Sequence, residues 1–335
     1  MPSVLSRAAR PRRPLVAIIT PSLADANTGN WHTAARWARF LRARYRVRVL
    51  KAWNGEAADA LIALHARRSA ASIEAFARHH PRRPLIVVLT GTDLYRDIRT
   101  DAAAQRSLEL ATRLVVLQER GAEALPAALR GKAVVIYQSA PRLAPGVRRR
   151  TMFDVAVVGH LRDEKDPRLA MRVAERLPHD SRIRVLHVGD ALDPALGQAA
   201  QSTQRRCARY RWLGGLPRAR TRQVMRNARL LLHPSKMEGG AQAILEAIQS
   251  GTPVVASDCP GNVGMLGRGY PGLFPVGDMQ AAAKLLRGAE TDAKLLRALQ
   301  SACKKRAALF DPERERRAVL RLVDNSLAKS SRRSR

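Results

Sequence analysis

The sequence predicts an α/β protein of two doubly wound, Rossmann-like domains. Its 335 residues exceed one usual domain and fit two. Short runs of branched apolar residues alternate with segments of helical periodicity, a pattern typical of a parallel sheet covered by helices. The alternation stops at 141–150 and then restarts. We therefore expect two sheets whose strand ends face a common cleft.

Six strand-length runs occupy the first part of the chain. Each consists mainly of Val, Ile, Leu and Ala and is bounded by turn residues or a helical pattern. The runs lie at 15–20, 47–50, 60–64, 85–89, 114–117 and 134–137. They predict an N-terminal domain over 15–140, preceded by a basic tail at 1–14.

The segment 141–150 is rich in Pro, Gly and Arg and predicts an interdomain linker. Strand-like runs return after it, at 155–158, 183–188, 230–233 and 254–256. They predict a C-terminal domain over 151–311. Residues 329–335 form a second basic tail.

Composition narrows the class of protein. No apolar run approaches the roughly 20 residues of a membrane helix, so we expect no transmembrane segment. Three cysteines (Cys207, Cys259, Cys303) without metal-ligand spacing favour a reducing compartment, the cytoplasm. The net charge of +32 allows polyanion or weak anionic-surface binding. Because no nucleic-acid module is recognisable, arginines on solvated helix faces are the favoured explanation.

Two glutamates, Glu238 and Glu246, mark the strongest functional motif. Eight positions of helix correspond to roughly 12 Å, about the reach of a sugar nucleotide. A carboxylate accepts two hydrogen bonds, so Glu238 suits the hydroxyls of a hexose and Glu246 those of a ribose. Between them, the small residues Gly239, Gly240 and Ala241 leave the helix N-terminus accessible to a diphosphate.

This motif and the 251–257 segment (GTPVVAS) resemble the donor site of retaining family-four glycosyltransferases. The resemblance implies the GT-B fold, in which a last helix, here about 312–328, crosses back onto the first domain. It also implies that Lys165 and a neighbouring cation grip the donor diphosphate. His160 stands where the family has an arginine, with Arg162 as the substitute cation; His160 caps the sugar or simply packs.

The chemistry inferred for this site needs no metal or other cofactor. Fixed cations and helix N–H groups balance the charge of the leaving diphosphate, a role that we assign to Lys165 and Arg162. No Asp-x-Asp pair follows a predicted strand, so we expect a metal-independent reaction.

Loops after two strands of the first domain are candidate acceptor sites. The 20–33 loop contains Gly29 and leads into a helix, which suits an anion or is only a turn. The 90–95 loop offers an aspartate that contacts the acceptor or caps the next helix. The predicted acceptor-binding residues are Asn27, Gly29, Asn30, His32, Thr33, Thr92 and Asp93. In the second domain, the backbone around Asn262 is expected to face the donor.

Several of these segments together resemble a narrower group, the selenosugar synthases of bacterial selenoneine biosynthesis. They are 20–33, 89–95, 159–162, 238–241, 260–264 and 270–272. The resemblance implies transfer of a hexosyl group from UDP-N-acetylglucosamine or UDP-glucose to the selenium of selenophosphate. UDP and phosphate would be released with a 1-selenosugar.

Two alternatives remain open. One is a conventional retaining glycosyltransferase that acts on a glycan, a lipid or a small thiol. The other is a non-catalytic protein of the same fold that binds polyanions or membrane surfaces.

Overall fold

Two six-stranded parallel sheets form the framework of the protein. The computed structural model describes residues 12–23, 29–149 and 151–333. In the first sheet the strands are ordered β2-β1-β3-β4-β5-β6. Their bounds are β1 Leu15–Ile19, β2 Arg46–Leu50, β3 Ala60–Leu64, β4 Leu85–Leu89, β5 Arg113–Val116 and β6 Ala133–Val135.

The second sheet is ordered β12-β11-β10-β7-β8-β9. Its strands are β7 Phe153–Val158, β8 Ile183–Val188, β9 Tyr210–Trp212, β10 Leu230–His233, β11 Val254–Ser257 and β12 Leu273–Phe274. The strand order reverses direction between β7 and β10, which pair directly. Ligands of such sheets bind beyond the carboxyl ends of the strands at this reversal.

Helices cover both sheets. Their bounds are α1 Gly29–Leu41, α2 Ala70–His79, α3 Ile98–Thr100, α4 Ala102–Leu110, α5 Pro167–Arg176, α6 Pro194–Arg206, α7 Arg218–Asn227, α8 Gln242–Gln249, α9 Pro260–Leu266, α10 Met279–Thr291, α11 Ala293–Arg306 and α12 Pro312–Arg333. The central strands β3 and β4 are buried along their whole length because apolar layers lie on both faces of the sheet. Within the described residues, no helix is both long and apolar enough to span a bilayer.

The last helix, α12, packs against α1 of the first sheet. Its buried Glu315 accepts hydrogen bonds from Arg36 and Trp37, each at 2.7 Å, and from Ser139 at 2.5 Å. Arg36 and Trp37 belong to α1, and Ser139 follows β6. One carboxylate therefore holds α12 on the first domain. The helix continues to Arg333 and so includes most of the segment that was predicted to be a basic tail from residue 329.

The predicted α/β fold of two doubly wound sheets is confirmed. The sequence interpretation omitted β9 and β12, which contain three and two residues. Strands this short carry too few residues to show a periodicity. Both lie at the edges of the second sheet.

Candidate active site

Glu238 and Lys165 form an ion pair where the two central strands of the second sheet end. Lys165 follows β7 and Glu238 follows β10. The Nζ atom of Lys165 lies 2.5 Å from Oε1 of Glu238. His233, the last residue of β10, places Nε2 2.9 Å from the same oxygen. A lysine ammonium and an imidazole therefore meet one carboxylate oxygen.

Two opposing effects set the charge of Glu238. Burial by itself raises the pKa of a carboxyl group, because the ionised form loses its hydration. The Lys165 ammonium and the His233 hydrogen bond outweigh burial and hold the pKa of Glu238 well below its usual range. The carboxylate is therefore ionised at neutral pH and suited to accept hydrogen bonds from hydroxyl groups.

The 159–166 loop positions Lys165. The lysine stem packs over Gly159, where a Cβ atom would lie 3.5 Å from Cδ of Lys165. Asp166 adopts a φ of 45° and caps α5 by accepting a hydrogen bond from the Leu169 N–H at 3.2 Å. Arg162 lies on the same loop, and its buried Nε has no hydrogen-bond partner in the described part of the chain. Both predicted cations thus lie on one loop beyond β7.

Glu246 lies inside α8 and lines a separate cavity of about 140 Å³. Its Oε1 accepts hydrogen bonds from Nη2 of Arg218 at 2.6 Å and from Nε2 of Gln242 at 2.9 Å. Only 5% of Glu246 is exposed. The cavity therefore presents a carboxylate flanked by a guanidinium, a combination suited to a polar ligand such as a ribose.

His160 lines the same cavity. Its Nδ1 accepts a hydrogen bond from the backbone N–H of Asp190 at 3.1 Å. Burial lowers the pKa of His160, and Arg162 and Lys165 lower it further against the opposing effect of Asp190. The neutral ring therefore carries its hydrogen on Nε2, which can donate to a ligand in the cavity.

The segment 239–241, which was predicted to face the donor diphosphate, also contacts the first domain. Gly91 has a φ of 142°, and a Cβ atom there would lie 2.9 Å from N of Gly239. A Cβ atom on Gly239 would lie 2.4 Å from the carbonyl oxygen of Thr90, and one on Gly240 would lie 2.6 Å from Cβ of Leu117. Glycine is thus required at 239 and 240 for the close approach of the first domain.

Helix α8 begins at Gln242, with Ala241 as its N-cap residue. Among the described residues, no side chain caps this end of the helix. A second link between the domains lies nearby, where Nη1 of Arg96 donates to Oε1 of Glu164 at 3.1 Å. The described loops thus bring an uncapped helix N-terminus, Lys165 and the first domain to one place.

The predicted acceptor residues of the 20–33 loop are divided by the structure. Asn27 lies outside the described residues. Gly29 and Asn30 begin α1. Thr33 is buried, donates its hydroxyl to the carbonyl of Gly29 at 2.8 Å and accepts a hydrogen bond from Gln138. Thr33 therefore supports the start of α1 from inside the domain.

His32 lines the Glu246 cavity, although it belongs to the first domain. Burial and the nearby Arg218 lower the pKa of His32, while Glu246 raises it less. The structure thus places this predicted acceptor residue beside the carboxylate predicted to hold the donor ribose.

Asp93 lies behind the 90–95 loop and is fully buried. Its Oδ1 accepts hydrogen bonds from the N–H groups of Thr90 and Gly91, and its Oδ2 accepts one from Ala66. The carboxylate is therefore occupied by backbone donors and shapes the loop from within. The side chain of Thr92 is half-buried and makes a contact with His65 at 3.1 Å.

Asn262 is also fully buried. Its Nδ2 donates to the carbonyl and hydroxyl oxygens of Ser257 at 3.1 and 3.0 Å. A Cβ atom on the adjacent Gly261 would lie 1.9 Å from the carbonyl oxygen of Glu238. The Asn262 side chain therefore holds α9 against β11, and Gly261 lets α9 approach the Glu238 backbone. Because this side chain is buried, a donor contact from Asn262 would use its backbone.

Two residues of the site were missed by the sequence interpretation. His233 ends an apolar strand directly before Pro234 and Ser235, a polar position that could have drawn attention. Arg218 follows Pro217 at the start of α7 and belongs to no spacing motif. Only the tertiary structure brings each of them to its glutamate.

The prediction of metal independence concerns the whole site. Across 12–23, 29–149 and 151–333, no group of three His, Cys, Asp or Glu side chains is placed to hold a metal ion. Independence from metal stays a prediction.

The profile of one protein family matches the second domain. The family is the glycosyl transferases group 1, and the match covers residues 146–306. It includes Lys165, Glu238 and Glu246.

Solved structures resemble the whole chain. HepE of Anabaena in complex with UDP and glucose has a TM-score of 0.76 at 16% identity, covering 93% of this chain and 100% of that chain. Sucrose-phosphate synthase of Thermosynechococcus elongatus has a TM-score of 0.77 at 15% identity, covering 95% and 100%. The pneumococcal O-GlcNAc transferase GtfA with UDP and GlcNAc has a TM-score of 0.65 at 18% identity, covering 80% and 57%. At these identities the likeness shows a common GT-B fold.

Proposed function

Because residues 146–306 form a glycosyl transferases group 1 domain, we propose that this glycosyltransferase uses a UDP-sugar donor and an anionic acceptor. The observation that carries the proposal is the Lys165–Glu238 ion pair just before the N-terminus of α8, with Glu246 about one turn into the helix. HepE and GtfA, which share the fold, have been solved with UDP and a sugar.

Each part of the donor has a matching group in this site. Glu246 accepts hydrogen bonds from the ribose hydroxyls. Lys165, Arg162 and the first N–H groups of α8 hold the diphosphate and stabilise the charge that develops when it leaves. The ionised Glu238 accepts hydrogen bonds from the hexose.

His32 contributes to donor binding in this proposal. It lines the same cavity as Glu246 and Arg218, and it is contributed by the other domain. Closure of the cleft would therefore complete the nucleotide site. Replacing His32 by alanine is expected to weaken UDP binding while leaving the KM for the acceptor unchanged. A raised KM for the acceptor with unchanged UDP binding would indicate instead that His32 binds the acceptor.

For the acceptor we propose selenophosphate. With this acceptor the protein would be a selenosugar synthase. The support is the resemblance of the sequence segments named above to that group, which would account for His160 in place of the usual arginine. Selenium attacks the anomeric carbon, and the bond from this carbon to the diphosphate oxygen breaks, so UDP leaves with the electron pair. Water then cleaves the selenium–phosphorus bond, which gives phosphate and the 1-selenosugar.

This acceptor needs little help from a general base. Selenophosphate arrives ionised with a nucleophilic selenium, whereas a sugar hydroxyl must lose a proton. In the described structure, Asp93 is buried and occupied by backbone N–H groups, which fits this proposal. Metal-independent turnover and a cytoplasmic location belong to the same proposal, the latter supported by three free cysteines.

The decisive experiment measures UDP release and product mass with UDP-N-acetylglucosamine or UDP-glucose. Each donor is incubated with and without freshly prepared selenophosphate, and with EDTA in a parallel reaction. UDP release and a selenium-bearing sugar that both require selenophosphate would support the proposal. If the donor binds but selenophosphate leaves turnover unchanged, the acceptor is instead a hydroxyl or thiol compound.

A control variant separates the donor site from the acceptor. Glu246→Gln keeps the shape of the side chain but removes the charge that binds Arg218 and suits the ribose. It should weaken UDP binding whatever the acceptor is. Unchanged UDP affinity would contradict the donor assignment itself.

The net charge of +32 supports a second candidate, a protein that binds polyanions or anionic membranes without catalysis. Such binding falls steeply with salt concentration because counterions are released. UDP-sugar binding in the Glu246 cavity should depend on salt far less, because hydrogen bonds to the ribose supply much of it. A titration with UDP and with heparin from 50 to 300 mM NaCl distinguishes the two functions.

A further inference from the structure

A buried polar cluster lies under the 90–95 loop at the ends of β3 and β4. His65 follows β3 and is only 3% exposed. Its Nε2 lies 3.1 Å from Oγ1 of Thr92 and 3.9 Å from Oδ2 of Asp97. That oxygen of Asp97 is buried and has no hydrogen-bond partner in the described structure. Buried polar atoms are normally paired, so this cluster calls for an explanation.

The backbone around the cluster is also unusual. His65 has a φ of 72°, in the left-handed region that side chains other than glycine rarely adopt. Residues Asp93–Asp97 form a single π-helical turn, a rare feature that is frequent at functional sites. Strain of this kind persists only where surrounding contacts enforce it, and it is concentrated at functional sites.

Hydrogen bonds hold the His65 ring in one orientation. The backbone N–H of His65 donates to the carbonyl of Val88 at 2.9 Å, and its carbonyl accepts from the N–H of Ser69 at 3.0 Å. The N–H of Arg68 donates to Nδ1 of the ring at 3.3 Å. Nδ1 is therefore an acceptor, and the hydrogen of the neutral ring is on Nε2.

The ring tautomer determines how Thr92 is used. Burial lowers the pKa of His65, and this effect outweighs the nearby carboxylates of Asp93 and Asp97. The neutral ring then donates its Nε2–H to Oγ1 of Thr92. Because that oxygen is already an acceptor, the hydroxyl hydrogen of Thr92 remains available to a further acceptor atom.

Thr92 also lies close to the donor loop. The preceding Gly91 approaches Gly239 so closely that a Cβ atom would lie 2.9 Å from the Gly239 nitrogen. Thr92 itself is half-buried. Thr92 is thus a partly exposed residue next to the glycine that meets the Glu238 loop.

We propose that the Thr92 hydroxyl donates a hydrogen bond to an anionic oxygen of the acceptor, and that His65 is the positioning residue that fixes its direction. The inference rests on the proposed function, since it requires an acceptor that carries an oxyanion such as a phosphate group. Thr92 contacts the substrate in this assignment, whereas His65 acts only through Thr92.

The test compares KM values for acceptor and donor in four single variants and one double variant. Thr92→Val removes the hydroxyl at constant shape, and Thr92→Ser restores it. His65→Asn removes the imidazole with a residue that tolerates the left-handed backbone. Thr112→Val is the matched control, because Thr112 bonds to Leu85 at the opposite end of the same strands.

Thr92→Val should raise the KM for selenophosphate about 10- to 100-fold, the range for a lost hydrogen bond to a charged group. The donor KM should stay unchanged. Thr92→Ser should recover most of the loss, and Thr112→Val should show none of it. His65→Asn should raise the same KM, but not further when combined with Thr92→Val.

Each other outcome overturns the inference. An unchanged acceptor KM in Thr92→Val, with the wild type active on selenophosphate, contradicts it while the proposed function stands. Additive effects of Thr92→Val and His65→Asn contradict the positioning role. A wild type that uses only neutral acceptors refutes both the inference and the selenophosphate proposal. Thermal unfolding of every variant identifies any rise in KM that is due only to destabilisation of the fold.

Discussion

Replacing Lys165 by methionine would test the charge pair on which the donor site depends. Methionine keeps an unbranched stem over Gly159 but leaves the buried Glu238 without its ammonium. Removing one partner of a buried ion pair typically costs about 3–5 kcal/mol, because the remaining charge is uncompensated. Since 21% of the Lys165 side chain is exposed and the His233 hydrogen bond remains, we expect the lower end, about 3 kcal/mol.

The loss of stability caused by Lys165→Met should depend on pH in a defined direction. In the wild type the pKa of Glu238 is depressed, so its stabilising contribution is present above the unfolded value of about 4.3 and is lost only as pH falls through the depressed pKa. Without Lys165, the effect of burial dominates and the pKa of Glu238 rises. The carboxyl group then takes up a proton as pH falls, and the penalty in the variant shrinks.

Thermal unfolding at pH 7 and pH 5 measures both effects. A loss of about 3 kcal/mol corresponds to a decrease in Tm of roughly 6–12 °C for a domain of this size. The control is Lys236→Met, because Lys236 forms a more exposed pair with Asp163 at 2.6 Å. Pairs of that kind contribute about 0–1 kcal/mol.

In the activity assay, Lys165→Met should lower kcat by about 10²–10³-fold, as expected for a lost charge-stabilising group. Two outcomes would refute the reasoning. One is a Tm for Lys165→Met equal to that of Lys236→Met. The other is a difference in Tm between Lys165→Met and the wild type that is as large at pH 5 as at pH 7.

Two further predictions concern buried groups outside the donor loop. Glu315→Gln should destabilise the protein by about 3 kcal/mol, because the buried Arg36 loses its carboxylate partner. The control is Glu313→Gln, which changes an exposed ion pair. Equal midpoints of thermal unfolding for the two variants would contradict the role of Glu315 in holding α12. Burial raises the pKa of Cys259 and of Cys303 to about 11, so iodoacetamide at pH 8 should modify Cys207 first in the folded protein. Peptide mass spectrometry measures the order of labelling, and rapid labelling of Cys259 would contradict its burial.

The parts of the site that sequence could predict share one property. Lys165 and Glu238 lie on the loops that follow two buried strands, and the ends of neighbouring parallel strands meet at one edge of a sheet. Glu246 has a fixed spacing from Glu238 within a loop and a helix. Local spacing was therefore enough to place Glu246 relative to Glu238, whereas the prediction for Lys165 also used the family resemblance.

The remaining residues depend on tertiary structure. The 20–33 loop was predicted to face the acceptor, but the position of His32 depends on how α1 meets the second domain. Thr33 and Asp93 have the residue types of ligand contacts, yet their hydrogen bonds to their own domain become visible only in the folded chain. His233 and Arg218 reach their glutamates across sequence distances of 5 and 28 residues, without a repeating motif.

The close contact between the domains explains why the site uses so many small residues. Thr90 and Gly91 meet Gly239 at backbone distance, so a side chain at either glycine would separate the acceptor loop from the donor loop. Asp93 fixes the first loop through the N–H groups of Thr90 and Gly91, and Arg96 joins its other end to Glu164, next to Lys165. The loop predicted to hold the acceptor and the loop proposed to hold the donor phosphates are therefore one connected structure. A change that shifts either loop should alter the reaction of both substrates, because a transfer step requires their reacting atoms to be held in contact.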